Sequence, residues 1–83
     1  MLYYPHMLEK LTPQERKRLR EIGDKITQIR EKKNMRQIDV AKKGGLNTNY
    51  YAKVERGESS LSVLTFNKVC KGLGVKSSEI LDF

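Results

Sequence analysis

The sequence predicts an all-α domain of five helices, on three observations. Apolar residues recur at spacings of three and four through most of the chain. No window of the 83 residues holds the strict apolar–polar alternation of a strand. The run from Gln37 to Gly57 is punctuated as two short helices about a glycine turn.

Residues 1–11 read as a tail ahead of a domain spanning 12–83. Leu2, Tyr3, Tyr4, Met7 and Leu8 make that tail apolar for an arm, suited to docking on the domain or on a partner protein. The first helix opens on Thr12-Pro13-Gln14-Glu15, with Thr12 as cap, Pro13 in the first helical position and Glu15 completing a capping box. Leu19, Ile22, Ile26 and Ile29 mark its inner face, and it is expected to run from Pro13 to Lys33. Gly23 costs about 1 kcal/mol inside a helix, so a break is expected to be possible there. Asn34 suits a left-handed closing position.

Gln37, Ala41 and Gly45 are spaced by four, so Ala41 lies on the inner face of the second helix. Its small side chain lets another helix cross closely. Gly45 sits where the chain turns, and Asn47 caps the third helix, which stops at Gly57. Val40, Leu46, Tyr51 and Val54 are expected between these two helices. Thr48, Asn49, Ala52 and Lys53 are then left facing outward. A small, polar, basic helix face held up by a packed partner suits the major groove of DNA.

Glu58 to Ser62 reads as a serine-bearing loop. Val63, Phe66, Val69, Cys70 and Leu73 mark the inward face of the fourth helix, which Gly72 and Gly74 are expected to end. Ser77-Ser78-Glu79-Ile80-Leu81 begins a short fifth helix. Leu64 falls outside the inward stripe, and Leu81 and Phe83 close the last turn. These three are expected to form an apolar contact between two copies of the chain.

The net charge is +7 with a pI near 9.7. Residues 1–43 carry twelve Lys/Arg against six Asp/Glu, so nearly all of the excess sits there. Such a surface suits either a polyanion partner, nucleic acid being the commonest, or plain solvation. The single cysteine, Cys70, permits no internal disulfide and lies in an apolar stripe, which favours inert packing in a reducing compartment. No apolar run approaches the roughly 20 residues of a membrane span, and no signal peptide is visible, so a cytoplasmic protein is expected. With one histidine, His6, and no ligand cluster, nucleophile–base pair or phosphate-binding glycine loop, neither an enzyme nor a metal or other cofactor is expected.

Ile22-Gly23 with Ile26, Ile29 and Arg30, then Gln37, Val40-Ala41, Gly45-Leu46-Asn47, Tyr50-Tyr51, Val54-Glu55-Arg56-Gly57 and Leu73-Gly74-Val75 follow one another without a gap. In that order they resemble the Cro/lambda-repressor-like, or XRE-type, helix-turn-helix regulators. The resemblance implies a lambda-repressor-like bundle with an extended first helix, and a dimer binding double-stranded DNA at an inverted-repeat operator, as a repressor or controller. Carried onto this sequence, it implies base contacts from Asn47, Thr48, Asn49 and Lys53. Asn47 serves either as cap or as base contact, Thr48 meets a thymine methyl group or a phosphate, and Lys53 meets guanine, a phosphate or solvent. Gln37, Tyr50, Ser59, Ser60 and Ser62 are implied phosphate contacts, and Arg30 and Glu55 an ion pair. Arg36 occupies a position where the family has a Ser or Thr cap; it forgoes about 1 kcal/mol of capping and adds a cation beside the phosphates. The rival reading is an antitoxin or interaction module that holds a partner protein through its N-terminal extension.

Overall fold

The computed structural model describes residues 11–81. Among them lie α1 (Pro13–Lys32), α2 (Gln37–Gly44), α3 (Thr48–Glu55) and α4 (Val63–Leu73), followed by a 3-10 turn at Ser77–Glu79. No strand occurs among the described residues. The expected fifth α-helix is therefore a single 3-10 turn. Its Ile80 nevertheless reaches the core and is buried.

Local chemistry sets the helix ends. Thr12 Oγ1 accepts from the Glu15 amide at 3.1 Å while Glu15 Oε1 accepts from the Thr12 amide at 2.9 Å, a full capping box. Ser62 starts α4 by accepting from the Thr65 amide at 3.1 Å. All four helices close on a left-handed residue within two positions of their last residue: Asn34, Gly45, Gly57 and Gly74. In the turn after α2, the Leu46 amide donates to Ala41 O at 2.7 Å and the Gly45 amide to Lys42 O at 3.2 Å. That double closure forces φ to +73° at Gly45, a value glycine takes without a steric cost.

The core is Ile26 of α1, Val40 and Ala41 of α2, Tyr51 and Val54 of α3, Val69, Cys70 and Leu73 of α4, and Ile80. Burial pushes the Cys70 thiol up from its ordinary value, which keeps it protonated and inert. Three glycines set the crossings. α1 runs unbroken through Gly23, in line with the expected Pro13–Lys33 helix; a Cβ there would strike the carbonyl oxygen of Glu55, so the glycine admits the end of α3. Gly72 was expected to help end α4; it lies inside that helix, against the Val40 carbonyl. Gly44 meets the Lys68 carbonyl in the same way, so α2 packs closely on α4.

Two further expectations are corrected. Val63, assigned to the inward face of α4, is 77% exposed beside Leu64 at 74%, because it sits in the first turn, where α4 has not yet reached the core. Leu81, expected in an apolar contact between two copies, is partly buried against the core of its own chain. It lines a groove of about 430 Å³ with Leu19, Ile22, Leu61 and Phe66. Phe83 and the tail contacts expected of residues 1–10 lie outside the described residues. No described helix is long and apolar enough to cross a membrane.

Candidate nucleic-acid interface

A buried ion pair positions α3 from behind. Arg30 of α1 donates from Nε to Glu55 Oε2 at 2.7 Å and from Nη2 to Oε1 at 3.1 Å. Its third nitrogen, Nη1, donates to the Met35 carbonyl at 3.0 Å. Gln37 Nε2 donates to Glu55 Oε1 at 2.9 Å. The end of α3 is thereby tied to α1, to the loop after it and to the first residue of α2. Only 14% of the Arg30 side chain and 5% of the Glu55 side chain are exposed.

Burial pushes the Glu55 carboxyl up, but hydrogen bonds from Arg30 and Gln37 and the nearby Tyr51 hydroxyl outweigh it, and the net shift is downward. The bond to Glu55 raises Arg30 further. The Tyr51 hydroxyl is itself buried without a hydrogen bond of good geometry. Its dipole still favours the charged carboxylate.

With its back fixed, α3 turns Asn49 and Lys53 to solvent, one helical turn apart, with Thr48 and Ala52 partly exposed beside them. Asn47 is the N-cap: its Oδ1 accepts from the Tyr50 amide at 3.1 Å. The Tyr50 hydroxyl, expected at a phosphate, donates to the Ser60 carbonyl at 3.3 Å and so ties α3 to the following loop. Ser59 Oγ makes a long contact to the Ser60 carbonyl at 3.4 Å, and Ser62 is committed to capping α4, where its Oγ also donates to Thr65 Oγ1 at 3.0 Å.

At the head of α2, Asp39 turns back on Arg36. It accepts from the Arg36 amide at 2.8 Å and from the guanidinium at 3.0 and 3.2 Å. These bonds hold the Asp39 carboxyl below its ordinary range and raise Arg36. Half of a capping box thus survives without a Ser or Thr cap. The cation that Arg36 adds is shared with Asp39, an acid three residues on whose spacing was the available signal. The Gln37 and Ile38 amides head the helix and are its first donors without an intrahelical partner. Ile38, not anticipated from the sequence, is 45% exposed there.

Among the described residues no group of three or more His, Cys, Asp or Glu is placed to hold a metal ion. The arrangement offers a polar, basic helix face, a helix N-terminus and a serine loop, a set suited to reading base edges and gripping phosphates.

A helix-turn-helix family profile matches residues 26–80. The chain is 39% identical over 62 residues to the control protein C.BamHI of Bacillus amyloliquefaciens, covering 74% of this chain and 76% of that protein. It is 32% identical over 60 residues to the immunity repressor protein of Bacillus phage phi105, covering 72% of this chain and 42% of the repressor. The crystal structure of the restriction-modification controller protein C.AhdI from Aeromonas hydrophila superposes with a TM-score of 0.73 at 27% identity. That match covers 76% of this chain and 96% of C.AhdI.

Proposed function

The chain belongs to the helix-turn-helix family of DNA-binding transcriptional regulators, and on that premise we propose that it reads one inverted-repeat operator in the cytoplasm as a homodimer. The observation that carries this reading is the outward strip of Thr48, Asn49, Ala52 and Lys53 on a helix fixed from behind by Arg30, Glu55 and Gln37. A groove-reading helix needs small or polar side chains on its free face and a rigid back, and α3 has both. Lys53 suits the O6 and N7 acceptors of guanine, Asn49 the N6 and N7 atoms of adenine, and Thr48 a thymine methyl group.

The Gln37 and Ile38 amides at the head of α2 take a phosphate, helped by Arg36 once it exchanges Asp39 for the DNA backbone. Gln37 itself then acts through its amide, because its side chain is held by Glu55. Ser59, Ser60 and Tyr50 line the next stretch of backbone. Asn47 stays a cap.

Control proteins of restriction-modification systems and a phage immunity repressor are among its relatives, so a regulator of its own or a neighbouring promoter is the role that best fits this chain. Selection of bound sites from random duplexes tests the reading. The expected product is an inverted repeat whose half-sites are centred about 34 Å apart, one helical turn. Repeating the selection with Lys53→Ala is expected to relax one symmetric pair of positions, worth about 1–3 kcal/mol at each base pair. An enriched pool without symmetry would overturn the dimeric operator.

A further inference from the structure

We infer that the amino-terminal half of α1 is a second contact with DNA, gripping the phosphates that flank the operator; this inference rests on the duplex-binding reading above. Residues 16–20 hold four cations in five positions: Arg16, Lys17, Arg18 and Arg20. Lys17 and Arg20 are exposed. Acids on the same helix offset part of this charge, and the cations remain in excess. Glu15 is turned back into the capping box of Thr12, while Glu21 and Asp24 stand one turn from Lys17 and Arg20.

The backbone packing says where this stretch is. A Cβ on Gly57 would fall 2.8 Å from the Cα and Cγ of Arg20, so α1 crosses directly against the turn that follows α3. Arg16, Arg20 and Gly23 share one face of α1, and Gly23 receives the end of α3. Arg16 and Arg20 therefore continue the strip that faces α3, past the point where α3 ends, with Lys17 on the adjoining flank. From Arg20 the helix runs on to Pro13, about 10 Å at 1.5 Å per residue. Its capping box stiffens that end. On the other side of Gly57 lie Lys53 and Arg56, both exposed. Arg56 is paired with Glu58 at 3.1 Å, so Lys53 on α3 and Lys17 and Arg20 on α1 are the exposed cations that flank this turn, beside the loop assigned above to the DNA backbone.

This half of α1 also lies outside the helix-turn-helix match, which begins at residue 26. It carries charge but no side-chain set for base edges, so it adds affinity and salt dependence without sequence preference.

The test compares the full chain with a Lys17→Gln, Arg20→Gln double variant of unchanged helicity and urea midpoint. Both are titrated on the selected operator with long flanks and with flanks cut to the operator ends. On the long duplex, affinity of the unaltered dimer is expected to fall on the order of a hundredfold more than that of the variant between about 50 and 200 mM salt, the effect of two lost phosphate contacts in each protomer. Cutting the flanks is expected to erase the difference, with the preference for operator over scrambled DNA kept throughout. Parallel salt curves on the long duplex would overturn the inference while leaving the operator reading intact. So would a difference that survives cutting the flanks, or a variant that sediments as monomer where the unaltered chain is a dimer. An unaltered chain that binds operator and scrambled duplexes equally would overturn the underlying reading instead.

Discussion

Hydrogen bonds from Arg30 and Gln37 outweigh the burial that pushes the Glu55 carboxyl up, so its folded value lies below its unfolded one. A depressed carboxylate contributes stability above the unfolded value, about 4.3, and that contribution is lost as pH falls through the lower folded value. Glu55→Gln is therefore expected to be destabilised at neutral pH and to show a flatter loss of stability in acid than the unaltered chain. Urea midpoints between about pH 3 and 7 check this, and identical acid slopes would show that Glu55 titrates normally. Arg30→Ala strands the carboxylate and is expected to cost about 3–5 kcal/mol, read by the same midpoints; an unchanged midpoint would mean that the pair contributes nothing. Much of this scale was legible. The spacing of Thr48, Asn49, Ala52 and Lys53 follows from helical periodicity alone, and that is local. The engagement of Gln37 with Glu55 was not legible, because the two are brought together only when α2 packs beside α3. Nor was the capture of the Tyr50 hydroxyl by the Ser60 carbonyl, which depends on the path of a loop.

Helix ends and helix crossings differ in what specifies them. The caps at Thr12 and Asn47 and the left-handed closures at Asn34, Gly45, Gly57 and Gly74 involve residues within a few positions of each other. Such features can be read directly from the chain. The crossings rest on residues far apart in sequence. Gly23 looked like a weak point in α1 and is in fact the seat of the α3 terminus. Ala41 was expected to admit a close neighbour and is fully buried; the close approach of α2 to α4 is made at Gly44 and Gly72. Replacing an ordinary helical glycine by alanine gains about 1 kcal/mol. Gly72→Ala is expected to do the opposite, at a cost of about 1–3 kcal/mol, because its Cβ would meet the Val40 carbonyl and the Val40 Cγ1. A rise in the urea midpoint would show that α2 and α4 separate without penalty.

For the whole molecule, the most exposed large apolar side chains among the described residues are on α4. Val63 and Leu64 project from its first turn, beside the groove that Leu81, Leu61 and Phe66 line. A dimer contact was expected from Leu64, Leu81 and Phe83; Leu81 is partly buried against the core, and we propose Val63 and Leu64 as the centre of that contact. Leu64→Glu is expected to convert a sedimenting dimer to monomer and to weaken operator binding without lowering the urea midpoint; a dimer that persists would move the interface elsewhere. The charge of the chain acts at this scale too, since a net +7 attracts any duplex and only the face of α3 supplies preference. The most direct measurement is therefore the affinity for the selected operator and for a scrambled duplex of equal length, titrated side by side over a range of salt. The expected result is two steep lines of log K against log salt, each falling by about 0.9 per phosphate, separated by a gap that remains at high salt and narrows in Lys53→Ala. Coincident lines for the two duplexes at every salt concentration would contradict the account.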